Sequence, residues 1–254
     1  MTCSLIVLAH PERRSFNGIW ADATEQASIA LGHNVIWSDL YSMKFDPVEK
    51  PSHYSGQEYV NPFDVLRAQE AAAATGVLPA EVAAEISKIQ MADRIIFHFP
   101  IWWFSLPAML KGWCDRVLAN GALHSASARF DRGLCLGKKA LFCVTTGSTA
   151  AESAHNGKEG DIQMLLWPFA YTLRYLGFTV LEPRILHGVH SYHRGRARVA
   201  LQARLKREIE AQAEMIAGFD KLASLRFNSD SEFDEEGYLK PSAASHSQFI
   251  RHRP

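Results

Sequence analysis

The chain has 254 residues, enough for one large or two small domains with a sizeable core. Lys plus Arg and Asp plus Glu both number 27, so the formal net charge is zero and neither nucleic acid nor an anionic membrane is an expected partner. With 47% hydrophobic and 21% charged residues, and no apolar run near the length of a membrane span, the composition reads as a soluble protein without stable membrane insertion.

Ser4 to Ala9 reads as a first strand, too short and without the preceding basic region for a signal peptide. The polar loop His10-Pro11-Glu12-Arg13-Arg14-Ser15-Phe16-Asn17 follows. Ser15 or Asn17 caps the next helix, with Ile19, Ala23, Ala27 and Ala30 on one apolar face. Gly32 closes it, and Asn34 to Ser38 is a second strand. Residues 39–76 are mostly irregular, with turns at Asp46-Pro47 and Asn61-Pro62 and a short helix from Val65 to Ala74. A loop this long is functional or covers a neighbour. Pro79 opens a helix that stacks Val82, Ile86 and Ile89. Ile95 to Phe99 suits a buried strand, which Pro100 ends. A helix over about 107–119 follows, with Pro107 as its first residue. Lys138 to Thr145 is a fourth strand. Asp161 caps a helix to about Leu176, closed by Gly177, and Phe178 to Leu186 is a fifth strand. Residues 195–218 form a last amphipathic helix using Val199, Leu201, Leu205, Ile209 and Ile216.

Residues 223–254 are polar yet carry Phe227, Phe233, Tyr238, Leu239, Phe249 and Ile250. This pattern predicts an extension packed on the domain 1–222 or on a partner subunit. The four cysteines, Cys3, Cys114, Cys135 and Cys143, lack CxxC spacing and read as free thiols in a reducing compartment. The cytoplasm is the expected location, and no metal site is expected. Five apolar strands alternating with helices predict an α/β fold: a doubly wound, five-stranded parallel sheet of flavodoxin-like order with helices on both faces. Neither GxGxxG with its following acidic residue nor a Walker A sequence is present.

In this architecture the loops after strands one, three and four converge at the carboxyl edge of the sheet. The first could bind a phosphate through helix-start amides and the Ser15 and Asn17 side chains, or be a plain helix cap. The second, with Trp102, Trp103 and Phe104, offers a flat apolar wall, or core and interface filler. In the third, Thr146, Gly147 and Ser148 could bring amide donors to a planar heterocycle, or form an ordinary surface loop. Together the three supply what a flavin needs: an anchored phosphate, a covered ring face and donors along the ring edge.

The blocks HPERRSFN, SDLYSMKFDP, PAEVAAEISKIQMADRIIFHFPIWWFSLPAMLKGWCDRV and TTGSTAAESAHNGKEGD occur in this order. They resemble the NAD(P)H:quinone oxidoreductase (DT-diaphorase) family over roughly residues 4–220. The tail ending SQFIRH is similar to bacterial members. The resemblance implies a flavin-binding domain over 1–222, bound FAD, a homodimer, and ping-pong two-electron reduction of quinones by NADH or NADPH. It places His10, Phe16, Asn17, Arg198 and Gln69 on FAD phosphates, ribose or adenine. It sets Pro100, Ile101, Trp102, Trp103 and Phe104 along the isoalloxazine, with Thr145, Thr146, Gly147 and Ser148 at its edge. The family's charge-handling tyrosine and histidine fall on Ser153 and Glu159. His155 is the expected substitute, with Glu159 turned to solvent, because an ionised glutamate only accepts hydrogen bonds. The aromatic substrate lid falls on Ala122, Leu123 and His124, which implies a more open pocket. Azo- or nitro-compound reduction, a regulatory subunit of a potassium-efflux system and a small electron carrier are the competing readings.

Overall fold

The computed structural model describes residues 1–54 and 59–252. Residues 55–58 of the long loop and 253–254 of the C-terminal extension lie outside the described residues. The strands are β1 (Cys3–Leu8), β2 (Asn34–Asp39), β3 (Arg94–Pro100), β4 (Lys139–Thr145), β5 (Thr179–Val180) and β6 (Arg184–Leu186). The helices are α1 (Phe16–Ala30), α2 (Val65–Thr75), α3 (Ala80–Met91), α4 (Ala108–Val117), α5 (Ile162–Tyr175), α6 (Gly195–Glu210) and α7 (Gln212–Ala217).

The sheet runs β2-β1-β3-β4-β5, with β6 also on β4 and every pairing parallel. This is the flavodoxin-like order, whose direction reverses between β1 and β3. Period-two alternation divides the strands between two faces. Leu5, Val7, Ile95, Phe97, Phe99, Ala140, Phe142 and Val144 form one core with α3, α4 and α5. On the other face, Ile96, Leu141 and Cys143 pack with Trp20 and Ala27 of α1 and with Met215 and Ile216 of α7.

Four expectations need correcting. The predicted fifth strand is two short ones, because Pro183 has no N–H to continue a ladder. The last helix is two helices that meet at Ala211. Pro79 and Pro107 occupy cap positions, one residue before the helices they open. Finally, α1 buries Trp20, Ala21, Thr24, Ala27 and Ser28, and exposes Ile19 and Ala30. Polar residues can take that face because the Thr24 and Ser28 hydroxyls donate to the helix carbonyls of Trp20 and Thr24.

Thr24 also completes a buried polar cluster. Its oxygen accepts from Gln212 Nε2 at 2.7 Å, while Gln212 Oε1 accepts from Trp20 Nε1 at 2.9 Å. The Thr24 proton is already committed to Trp20, so His98 Nε2, 3.0 Å away, must be the donor to Thr24. His98 therefore carries a proton on Nε2, while its buried Nδ1 has no partner among the described residues. Burial, reinforced by the Arg13 charge, lowers its pKa to about 3. The unfolded chain protonates near 6.5 and the folded chain does not, so stability should fall with pH from about 6.5 downward. The expected loss is about 1–2 kcal/mol between pH 6.5 and 5. Urea midpoints across that range should fall less steeply in His98→Gln; equal slopes would exclude His98 as the group responsible.

Residues after 222 contact the elements that precede them. Leu225 N–H donates to Val180 O, Leu225 and Phe227 join the larger core, and the Phe249 ring stacks on Trp167 at 4.5 Å. Cys114, Cys135 and Cys143 are buried free thiols, and Cys3 is half-buried.

Candidate active site at the carboxyl edge of the sheet

Three loops leave the sheet side by side and are fastened to one another. Thr145 Oγ1, ending β4, donates to Asn17 Oδ1 at 2.9 Å. Ile101 N–H, just past β3, donates to Thr145 O at 2.8 Å. The His10 ring lies 5.9 Å from Trp102. The loop after β6 joins through Gly188 N–H to Ser148 O and Val189 N–H to Thr146 O.

Ser15 caps α1, its hydroxyl accepting from Gly18 N–H. The loop folds so closely over the helix start that a Cβ at Gly18 would meet Arg13 O at 2.0 Å. Neither arginine of this loop is free. Arg13 is paired with Asp22 and Asp39 and lies over Trp37. Arg14 is paired with Glu12, whose pKa is held at about 2 by hydrogen bonds from the Arg14 side chain and backbone. What remains for a ligand is a set of donors. The Phe16 and Asn17 N–H groups have no protein acceptor among the described residues, as expected at a helix start. Asn17 is only 3% exposed, yet its buried Nδ2 has no partner among the described residues. An unsatisfied buried donor costs about 1–3 kcal/mol, and an oxygen-rich ligand would remove that cost. His10 Nδ1 lies 3.0 Å from both the backbone N and the backbone O of Glu12, which holds the ring against the loop. Phe16 packs on Trp20, 5.5 Å away.

In the second loop, Trp102 and Ser105 exchange both backbone hydrogen bonds at 3.1 Å around a two-residue turn. Its central residues, Trp103 and Phe104, have φ of 50° and 61°. This is a primed turn built without glycine or asparagine, and each left-handed residue costs about 1–2 kcal/mol. Strain of this kind persists where the surroundings over-determine it, often at a site of function. Here it places Trp103 93% exposed, with its amide and that of Phe104 lacking any protein acceptor among the described residues. Of the three amides expected to donate from the third loop, two are already used: Thr146 N–H by Leu186 O, and Ser148 N–H by Thr146 Oγ1. Only that of Gly147 is free among the described residues.

Ile101, Trp103, Phe104, Thr146, Gly147 and Ser148 line one cavity of about 390 Å³, together with Ser153, Glu152 and Glu159. This corrects the expected placement of two residues. Glu159 faces the cavity rather than solvent alone, because its N–H donates to Glu152 O and folds the 152–159 loop onto itself. His155 is exposed and absent from the cavity lining. Glu152 is an addition the sequence reading missed. Its signal was Thr149-x-x-Glu152, a reciprocal cap in which the Glu152 carboxylate accepts from Thr149 N–H and the Thr149 hydroxyl accepts from Glu152 N–H.

The remaining candidates lie apart from this cavity. Arg198 opens α6 in a cavity of about 580 Å³ with His190, His193 and Arg194. Gln69 is buried on α2, its amide donating to Glu49 and to Asp115 O and its oxygen accepting from Asn120 N–H. It does not meet the first loop. It lines a larger cavity of about 880 Å³ with His124, Phe104 and Leu165, the last two shared with the smaller cavity. Leu123 is buried core and Ala122 packs against the same core, so of the three lid positions only His124 lines the cavity.

The sequence profile of the flavodoxin-like fold family matches residues 4–209. The chain is 37% identical over 188 residues to NAD(P)H dehydrogenase [quinone] 1 of Rattus norvegicus, covering 73% of this chain and 69% of that one. It is 41% identical over 184 residues to ribosyldihydronicotinamide dehydrogenase [quinone] of Pongo abelii, covering 71% and 79%. A proposed quinone reductase from Klebsiella pneumoniae superposes with a TM-score of 0.81 at 31% identity, covering 95% of this chain and 93% of that one. The chain belongs to the flavodoxin-like family and, within it, to the enzymes of NAD(P)H dehydrogenase [quinone] type.

Proposed function

We propose that the protein reduces quinones by two electrons, using NADH or NADPH and a bound FAD, in a ping-pong cycle. One observation carries the reading: an exposed indole on a strained turn, flanked by unpartnered donors from three loops at a topological switch point. The residues present fit a flavin. Asn17, the Phe16 and Asn17 amides and His10 would hold phosphate oxygens. Trp103 and Phe104 would cover one face of the ring, and the Gly147, Trp103 and Phe104 amides would meet its polar edge. The flavin supplies a hydride acceptor that is also a hydride donor. These residues would hold the ring still with one face uncovered, which nicotinamide and quinone would use in turn.

FAD rather than FMN is the expected form, because Arg198 and its cavity lie on the loop–helix segment fastened to Thr146 and Ser148, where an adenylate half would extend. A homodimer is proposed from the exposed Leu66 and Phe104, both of which line the 880 Å³ cavity. Free, mostly buried thiols support a cytoplasmic location. Among the described residues no helix is long and apolar enough to cross a membrane. Mass analysis of cofactor released from the purified protein should give FAD, and sedimentation at micromolar concentration should give a dimer. FMN alone would overturn the first assignment, and a fully active monomer the second.

A further inference from the structure

A chain of three hydroxyls runs along the wall of the 390 Å³ cavity. Thr146 Oγ1 lies 2.8 Å from Ser148 Oγ, which is in hydrogen-bond contact with Ser153 Oγ. Thr146 and Ser153 are buried, and all three residues line the cavity. The backbone fixes the far end: Ser153 N–H donates to Thr149 O, and Ser153 O accepts from Ile162 N–H at the start of α5. Each hydroxyl carries one proton. The two links consume two protons, so one is left to donate from one end of the chain. Concerted rotation of the three hydroxyls moves that donor to the other end without breaking a covalent bond.

The other polar side chains on this wall are Glu152, Glu159 and the indole N–H of Trp103. Glu152 is occupied by the Thr149 amide and hydroxyl and by Lys158 Nζ at 3.0 Å. Both carboxylates, when ionised, can only accept. With the Trp103 indole assigned to the face of the ring, the hydroxyls are the side-chain donors left for its edge, where the charge of a reduced ring must be met.

We propose that Thr146, Ser148 and Ser153 act as one proton-ordered hydroxyl chain that donates to the negative charge a bound flavin gains on reduction. A hydride brings two electrons and one proton to the oxidised ring and leaves one net negative charge. The chain answers by reorientation alone. The inference rests on the proposed flavin site and specifies how that site handles charge.

Equilibrium redox titration of the flavin-bound protein tests it, with Ser148→Ala, Ser153→Ala, the double variant and Ser148→Thr. Each alanine variant should lower the preference for reduced over oxidised flavin about tenfold, which is about 30 mV for a two-electron couple. The double variant should lose less than the sum of the two singles, because each substitution breaks the same chain and leaves hydroxyls whose protons are no longer ordered. Ser148→Thr keeps the hydroxyl and should keep the wild-type potential. Flavin bound with an unchanged potential in both alanine variants overturns the proposal, as do additive losses in the double. A wild-type protein that binds no flavin instead overturns the flavin site, and the proposal with it.

Discussion

Trp103→Gly is expected to weaken flavin binding about a hundredfold while leaving the unliganded fold as stable as before, or slightly more so. The indole is 93% exposed, so its removal takes almost nothing from the core. Its backbone sits at φ 50°, where glycine relieves left-handed strain of about 1 kcal/mol. A flavin lying on it would bury that surface. Losing a buried tryptophan costs about 3–5 kcal/mol, and the low end of that range is about a hundredfold in affinity. Titration of the apoprotein with FAD, followed beside urea denaturation of the same variant, separates binding from folding. An unchanged dissociation constant in a folded variant would reduce Trp103 to an exposed surface residue.

The second large effect is structural. Arg116→Met should cost about 3 kcal/mol of stability and lower Tm by roughly 6–12 °C. Arg116 is fully buried, yet it donates to Asp46 O and to Glu81 Oε1, both at 2.7 Å, and lies 3.8 Å from Glu49 Oε1. It ties the loop after β2 to α3 and α4. Methionine fills similar space but leaves Glu49, which also accepts from Tyr54 and Gln69, without its nearest guanidinium. Breaking one side of a buried pair is costlier than never having the pair. Glu49 also lines the 880 Å³ cavity, so the same change should loosen that wall. A urea-derived stability within 1 kcal/mol of wild type would show that this loop is held by other contacts.

The order of the strands was legible because four of them are short apolar runs closed by turn residues, a signal that survives without tertiary information. The face that α1 buries was not, because Thr24 and Ser28 look solvent-facing until their hydroxyls find helix carbonyls, and Gln212, nearly two hundred residues away, finds Thr24. The split of the fifth strand could have been read from Pro183. In the site, the aromatic identity of the second loop was plain. The left-handed pair at Trp103 and Phe104 was not, since no glycine or asparagine marks that turn. Side-chain type likewise misplaced Glu159. A carboxylate beside a ring that gains charge looked unfavourable, but the loop backbone, folded by Glu159 N–H to Glu152 O, decides where the residue stands.

The most direct test of the account is an anaerobic titration of the purified protein, followed through the flavin absorbance. One equivalent of NADH or NADPH per bound flavin should bleach the oxidised band, and one equivalent of a quinone added afterwards should restore it with no nicotinamide present. A protein that carries no flavin and takes up none, or whose flavin neither bleaches with the nicotinamide nor returns with the quinone, would contradict it.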